Sequence, residues 1–467
     1  MTSARRFRTE TANTNQSAGR FVYPSTKGIS NVARNIAHAP LFGALLGLGV
    51  AALPGIVGGA TAYEPIPIDD SNLNPASVTT GGASVLPTTR TIAHWHGTTL
   101  NPNNGVTYGY NMVGADPNHC SGDSCSVTVE VDITPLIVHI QGTTWDGTQV
   151  VQPTLASPLF ATNDYAQTPY ATLASTSTAT LPQGPGGVLS QGDSGMLLQL
   201  EDATMRAQFN QTGASKYHLI LHPNVLAPVT INVPNNQGVL LVSGRGVVFA
   251  DVDIGWWSSQ IANLETQADP THLPLYVSNN VMLYTGHNFN NCCVIGYHGT
   301  KATGKGGGSI NSQGNAAVQT FAWGSWVQPG LFARLGRDWA LQDIHALSHE
   351  ISEWADDPFA NNTVQPWLTP TAPQYGCSGL LETGDPVVAI GFAMGVNTFQ
   401  QGPNPNGSQA ADGYYHPEDE VFLPWYMRLA PNNVSQPTQD VSPNIGRYSL
   451  MGDLNPYSGF RVPATGC

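Results

Sequence analysis

Basic side chains are scarce in this sequence, with 17 Lys and Arg against 31 Asp and Glu in 467 residues. The deficit is sharpest from Asp338 to Met427, where 90 residues hold twelve Asp or Glu and no Lys or Arg. Nothing resembles a basic stripe or an RNA-binding aromatic platform, so nucleic acid is not an expected partner. No C-x-x-C pair is present, which argues against a zinc-thiolate site. Beyond residue 62 no apolar run approaches bilayer-spanning length, and no internal repeat marks a solenoid or propeller. Charged residues make up only 10% of the chain, while Gly, Pro, Ser, Thr and Asn are abundant. That balance suits a loop-rich secreted protein better than a cytosolic one.

The N-terminus points the same way. Residues 1–38 carry six Lys or Arg and one Glu, and Ala39–Ala62 is an apolar, Gly- and Ala-rich stretch closing on Ala60-Thr61-Ala62. This is the pattern of a signal peptide with an A-x-A cleavage site. The alternative is an uncleaved membrane anchor, although Pro54 and the glycines make it a poor span. Removing 1–62 leaves 11 basic and 30 acidic residues, a net charge of about −19. Six cysteines in an extracellular chain imply three disulfides. Cys120 with Cys125 and Cys377 with Cys467 are the expected pairs, while Cys292 and Cys293 either join each other or find separate partners.

Periodicity predicts an α+β protein. Strands are expected at Thr91–His96, Val127–Ile133, Leu136–Ile140, Val239–Val242, Leu275–Val277, Val281–Tyr284, Cys293–Tyr297 and Val318–Trp323. Helices are expected at Met196–Asn210 and near Trp257–Ala268. The organisation read from this is a signal peptide (1–62), a linker or irregular arm (63–90), a β-rich N-terminal domain (91–234) and a metal-binding, catalytic-like domain (235–467). The boundary falls at the Pro234-Asn-Asn-Gln-Gly238 loop.

The most informative stretch is Asp343-Ile-His-Ala-Leu-Ser-His-Glu-Ile-Ser-Glu-Trp-Ala-Asp-Asp-Pro358. At about 100 degrees per residue, Ile344, Leu347, Ile351, Trp354 and Ala355 share one face, and His345, His349, Glu353 and Asp356 the other. Asp338 is a candidate N-cap and Pro358 a stop. An ordinary surface helix would present alternating charge for i,i+4 pairing. Here Glu353, Asp356 and Asp357 have no cation on the helix to oppose them, so a bound metal is expected to supply the missing positive charge.

His349-Glu350-x-x-Glu353 resembles the zinc-peptidase signature His-Glu-x-x-His with Glu in the second ligand position. Ser348–Pro358 together with Leu381–Pro386, about 40 residues, is similar to the zincin metallopeptidases. It is similar also to exordium-like and other secreted proteins with Ser-His-Glu-x-x-Glu…Asp-Pro followed by Glu-x-Gly-Asp. The resemblance implies a zincin-like mixed sheet with an active-site helix, metal ligands at His349, Glu353 and Glu382, and Glu350 as general base toward a metal-activated water. Asp385 is then a candidate to hold a ligand histidine. His345 lies about 6 Å along the axis from His349 and about 12 Å from Glu353, too far to share one ion with both, so it is expected beside the site. His416, in Tyr414-Tyr-His-Pro-Glu-Asp-Glu420, is a candidate oxyanion donor.

Other motifs carry less. Gly192-Asp-Ser-Gly195 and Asn118-His-Cys120 echo trypsin-like segments, but Ser194 reads as part of a helix start. His94-Trp-His-Gly97 lacks the companion motifs a copper oxidase needs. The expected function is therefore a secreted metal-dependent peptidase, with Zn²⁺ as cofactor and a polypeptide as substrate. The alternative is a non-catalytic extracellular protein whose structural ion, Zn²⁺ or Ca²⁺, shapes a surface for a cell-wall component. Membrane contact is expected only through an uncleaved leader.

Overall fold

The computed structural model describes residues 60–62, 90–120, 125–164, 170–172, 197–209, 211, 216–303, 317–332, 342–369, 377–388, 391–399, 413–429 and 448–449. Most of the expected leader and arm, the Gly192–Gly195 motif and Asp338 lie outside these residues. The protein is mixed α+β, with several sheets and a few short helices.

The largest sheet positions the candidate site. Its strands are β1 Ser126–Ile140, β2 His218–Val225, β3 Val229–Asn232, β4 Leu273–Asn279, β5 Gly296–Thr303 and β6 Ala317–Trp326. The order is β3-β1-β4-β6-β5, with β2 and the strand Thr143–Asp146 also pairing β1. β1, β4 and β6 run parallel and β5 closes the edge antiparallel to β6. Two expected strands, Val127–Ile133 and Leu136–Ile140, are one continuous strand, because Pro135 pairs Val277 without ending the ladder.

Parallel strands covered on both sides should be apolar in nearly continuous runs, and β4 and β6 are. One face of the sheet packs Val131, Ile133, Leu275 and Ala322 against helix residues Leu347, Ile351 and Trp354. The opposite face packs Tyr276, Tyr297, Phe321 and Trp323 with Trp257 and Ile261 of the helix Ile254–Leu264. A second sheet runs Thr61–Ala62, Gly238–Val242, Val248–Asp253, Val281–Tyr284, Cys292–Val294. Thr61 and Ala62, in the expected cleavage pattern, pair in parallel with Leu241 and Val242.

Strands from both sides of the Pro234–Gly238 loop share the large sheet, since β1 pairs β4. That loop therefore turns between strands inside one compact unit, Val57–Cys467, and the boundary expected there does not separate two cores. Cys120–Cys125 and Cys292–Cys293 are disulfides, and Cys377 is disulfide-bonded as well. Among the described residues no helix is long and apolar enough to cross a membrane.

The motif helix, α2 His345–Asp356, follows α1 Leu200–Gln208 and lies across β6 and β5. All twelve of its residues are buried, so its polar stripe does not face water as an amphipathic surface helix would. Asp343, at φ 44°, precedes it, and its Oδ1 accepts from the N–H groups of Ile344 and His416. Beyond the helix, the Asp357 carboxylate accepts from the N–H groups of Asn361 and Asn362, which turns the chain away. Trp354 fixes the seat: it is fully buried and its indole N–H donates to Thr320 Oγ1 at 2.9 Å. Trp354→Ala is expected to lower unfolding free energy by about 3–5 kcal/mol in urea titrations; a loss under about 1 kcal/mol would contradict this packing.

Candidate metal centre

The period of two along β5 and β6 decides which side chains meet the helix. Gly296, His298 and Thr300 pair Gly324, Ala322 and Thr320, and this register puts all six on the face that α2 covers. His298 is thereby aimed at the polar stripe of the helix. Gly296 makes room for Glu350, since a Cβ at that position would collide with the Glu350 carboxylate.

The donors converge on Glu353. Its Oε1 is 3.1 Å from His349 Nε2, and its Oε2 is 3.5 Å from His298 Nδ1. His298 Nδ1 lies 3.7 Å from Glu350 Oε2, and His298 Nε2 lies 3.8 Å from Glu382 Oε2. Exposure is 6% at His298, 7% at His349, 2% at Glu350, 0% at Glu353 and 3% at Glu382. Two sets of donor atoms lie mutually within 4.8 Å: His298, Glu353 and Glu382, and His349, Glu350 and Glu353. All four residues expected at the centre are thus present, but His349 and Glu382 fall in different sets joined through Glu353. The position expected for one of the three ligands goes to His298.

The surrounding contacts orient these groups. Gly384 and Asp385 donate their N–H groups to Glu353 Oε1 at 3.1 and 3.3 Å. The His349 ring lies against Gly384, where a Cβ would collide with it. Asp385 Oδ1 is 3.8 Å from His349 Nε2, on the same side of the ring as Glu353. The carboxylate that holds the other ring nitrogen is Glu418, whose Oε2 is 2.8 Å from His349 Nδ1 and 2.8 Å from His345 Nε2. Asp385 therefore faces the donor side, and Glu418 takes the orienting position expected for Asp385. Glu418 is itself fixed by Ser348 Oγ, which accepts from its N–H. His345, fully buried, is a neighbour of the centre through Glu418, as its spacing implied.

His416 is anchored elsewhere. Its Nδ1 is 2.8 Å from Asp343 Oδ2 and its Nε2 is 3.2 Å from the Gln342 amide, at the N-terminal end of α2. Glu353 lies more than two helical turns beyond that end, about 12 Å from His345 along the axis. The expected oxyanion-donor role for His416 finds no support in this placement. Tyr426, which donates to the Glu382 carbonyl, is the hydroxyl the structure places beside a candidate ligand.

Electrostatics follow from burial. Burial opposes the charged form of Glu353, but His349 and His298 outweigh it and hold the carboxyl down at about 2. Burial also opposes a charged ring at His298, yet Glu382, Glu350 and Glu353 raise it well above the usual imidazole range. Past the centre, burial raises Asp356 and Asp357 to about 7 and pushes Glu420 and Glu201 well up.

A divalent cation fits this chemistry. Glu353 Oε2 and His298 Nδ1 are buried, face each other, and make no hydrogen bond. Neutral imidazole and carboxylate are the donors Zn²⁺ takes, and the carboxylates alone would suit a harder ion. The buried set of Asp251, Cys292 and Cys293 is different, because its two sulfurs are already joined and offer no thiolate. Comparisons with protein-family models, characterised proteins and solved structures gave no match.

The raised carboxyls make a pH test available. A group raised in the folded state stabilises below its unfolded value, near 4, and that contribution is lost as pH rises through the folded value. Metal-free protein is therefore expected to lose thermal stability between about pH 4 and pH 7, and Asp356→Asn to flatten the slope. Parallel profiles of Tm against pH for the two proteins would contradict this. Glu353 acts in the opposite sense and in a lower window, its contribution being lost as pH falls from about 4.5 toward 2.

Proposed function

We propose that the protein is an exported, metal-dependent hydrolase of polypeptides whose catalytic centre lies at Glu353. The observation that supports it is that two buried donor sets, His298 with Glu382 and His349 with Glu350, meet at the Glu353 carboxylate. Zn²⁺ is the ion that best suits two imidazoles with carboxylates, and when bound it supplies Lewis acidity toward a water and a carbonyl oxygen.

The chain's own residues then have distinct tasks. His349 and Glu353 are one turn apart on a rigid helix, so their donor atoms are set without loop ordering. Glu350 is held between Gly296 and His298 and accepts a proton from the attacking water, then returns it to the leaving amine. Glu418 fixes the tautomer of His349, with Nδ1–H toward the carboxylate and Nε2 toward the centre. The zincin-like resemblance of the motif agrees with these roles, and His298 on β5 is the departure from it.

The near-complete burial of every donor favours a second reading, a non-catalytic protein in which the ion cross-links β5, α2 and the Glu382 segment. Zinc content and activity on a peptide library separate the two. The hydrolase reading expects peptide cleavage that Glu350→Gln reduces by roughly 10²- to 10⁴-fold while zinc is retained. Zinc without cleavage of any library member leaves the structural reading, and absence of metal overturns both. Glu418→Gln is expected to weaken zinc affinity by about 10- to 100-fold in competition with a chromogenic chelator; unchanged affinity would remove Glu418 from its orienting role.

A further inference from the structure

Away from Glu353, one buried cluster sets a carboxyl beside two sulfurs. Residues of the strand Val248–Asp253 alternate between two cores: Ala250 and Val252 pack with Trp257 and Val281, while Phe249 packs with Leu241, Met282, Cys292 and Cys293. Asp251 is two residues from Phe249 and pairs Met282 across the sheet, so it points into the second, apolar cluster. It is fully buried, and among the described residues neither of its carboxyl oxygens has a hydrogen-bond partner. A buried polar group left in that state is costly and calls for a reason. Its position supplies one, because an Asp251 oxygen and the sulfurs of Cys292 and Cys293 lie within 4.8 Å of one another.

We propose that reduction of the Cys292–Cys293 disulfide opens a thiophilic metal site, in which the two thiolates and the Asp251 carboxylate hold one divalent cation of the Zn²⁺ class. The disulfide is the closed state of this site, since joined sulfurs offer no thiolate. Bonds of about 2.3 Å to sulfur and 2.0–2.2 Å to oxygen set donors about 3.5–3.8 Å apart, so the sulfurs need only part while Asp251 already stands within reach. In the closed state, burial holds the Asp251 carboxyl well above the usual carboxylate range, so the cluster carries no charge to attract an ion. Two thiolates and one carboxylate around a divalent ion leave one net negative charge, fewer than the two of a four-thiolate zinc site.

The opening step needs a dithiol reductant. Cys292 directly follows the exposed turn 286–291 and keeps 4% exposure, whereas Cys293 has none, so Cys292 is the sulfur an incoming thiolate reaches. The reductant's sulfur bonds to Cys292 as the Cys292–Cys293 bond breaks, and its second thiolate then displaces Cys292 and closes the reductant's own disulfide. Two electrons and two protons thereby pass to the cysteine pair. The cation displaces those two protons and the carboxyl proton, so affinity falls as pH falls.

The site needs no cation at Glu353, and its test reads thiolate ligands alone. The full chain, reduced with dithiothreitol and desalted anaerobically, is titrated with Cd²⁺ and followed by the sulfur-to-cadmium charge-transfer band in the ultraviolet. The band is expected in the reduced protein and in Cys120→Ser/Cys125→Ser, and not in the oxidised protein or in Cys292→Ser/Cys293→Ser. Asp251→Asn, close in shape, is expected to weaken Cd²⁺ binding by about tenfold or more. No band in the reduced wild type overturns the proposal, as does a band that survives in Cys292→Ser/Cys293→Ser. Should that double variant fail to fold, Asp251→Asn decides, because unchanged affinity places the bound ion away from this carboxyl. Loss of the folded near-ultraviolet circular dichroism on reduction also overturns it, since the site requires the strand that carries Asp251.

Discussion

Glu353 is fully buried and held ionised, and a charge so placed costs several kcal/mol unless something opposes it. Opposition comes in three forms that the fold delivers together. Backbone N–H groups of Gly384 and Asp385 bind one oxygen, His349 approaches that oxygen along the same helix, and His298 approaches the other from the sheet. His349 shares the helix with Glu353, whereas His298 meets it only because α2 lies across β5 and β6. The seating of one helix on one sheet edge is therefore the condition for bringing the two donor sets together.

That seating is achieved by size as much as by hydrophobicity. Close packing leaves no room for a misplaced methyl group, and at Gly296 and Gly384 the side chains of Glu350 and His349 occupy the space a Cβ would need. Trp354 fills the opposite requirement, a large apolar anchor with its N–H satisfied. Glu418 then ties the far side of His349 to His345 and Ser348, so the imidazole is clamped between a glycine and a carboxylate. Donors held this way are positioned by the fold itself, and preorganisation of that kind removes ordering costs from the binding of an ion. The remaining acids, Glu201, Asp356, Asp357 and Glu420, lie in the same interior and are raised toward the neutral form, so the excess of negative charge is limited by protonation where no cation reaches.

Much of this was legible in the sequence because it is periodic. Val281–Tyr284 and the strands around Gly238–Val242 and Ala317–Trp326 stand where alternation and apolar runs put them, and the motif helix occupies the stretch where His345, His349, Glu353 and Asp356 share a face. The stretch Asp338–Met427, dense in acid and without Lys or Arg, contributes His349, Glu350, Glu353 and Glu382 to the buried donor sets. What escaped was long-range. His298 is a lone histidine in a strand about 50 residues before the helix, and only the antiparallel register of β5 on β6 reveals that it faces Glu353. Its signal was the Gly-Tyr-His run, a glycine and a histidine on the same side of a strand. The role expected of Asp385 falls to Glu418, because ring orientation at His349 is set by contacts between segments far apart in sequence. His416 belongs to the helix start through Asp343, a pairing no spacing rule foretells.

The most direct test of a cation at Glu353 is anomalous diffraction at the zinc edge from crystals of the full chain grown with Zn²⁺. The account expects difference density within about 2.0–2.2 Å of a Glu353 carboxylate oxygen and of an imidazole nitrogen of His298 or His349. Density confined to surface histidines, with none at Glu353 at full zinc loading, would contradict it.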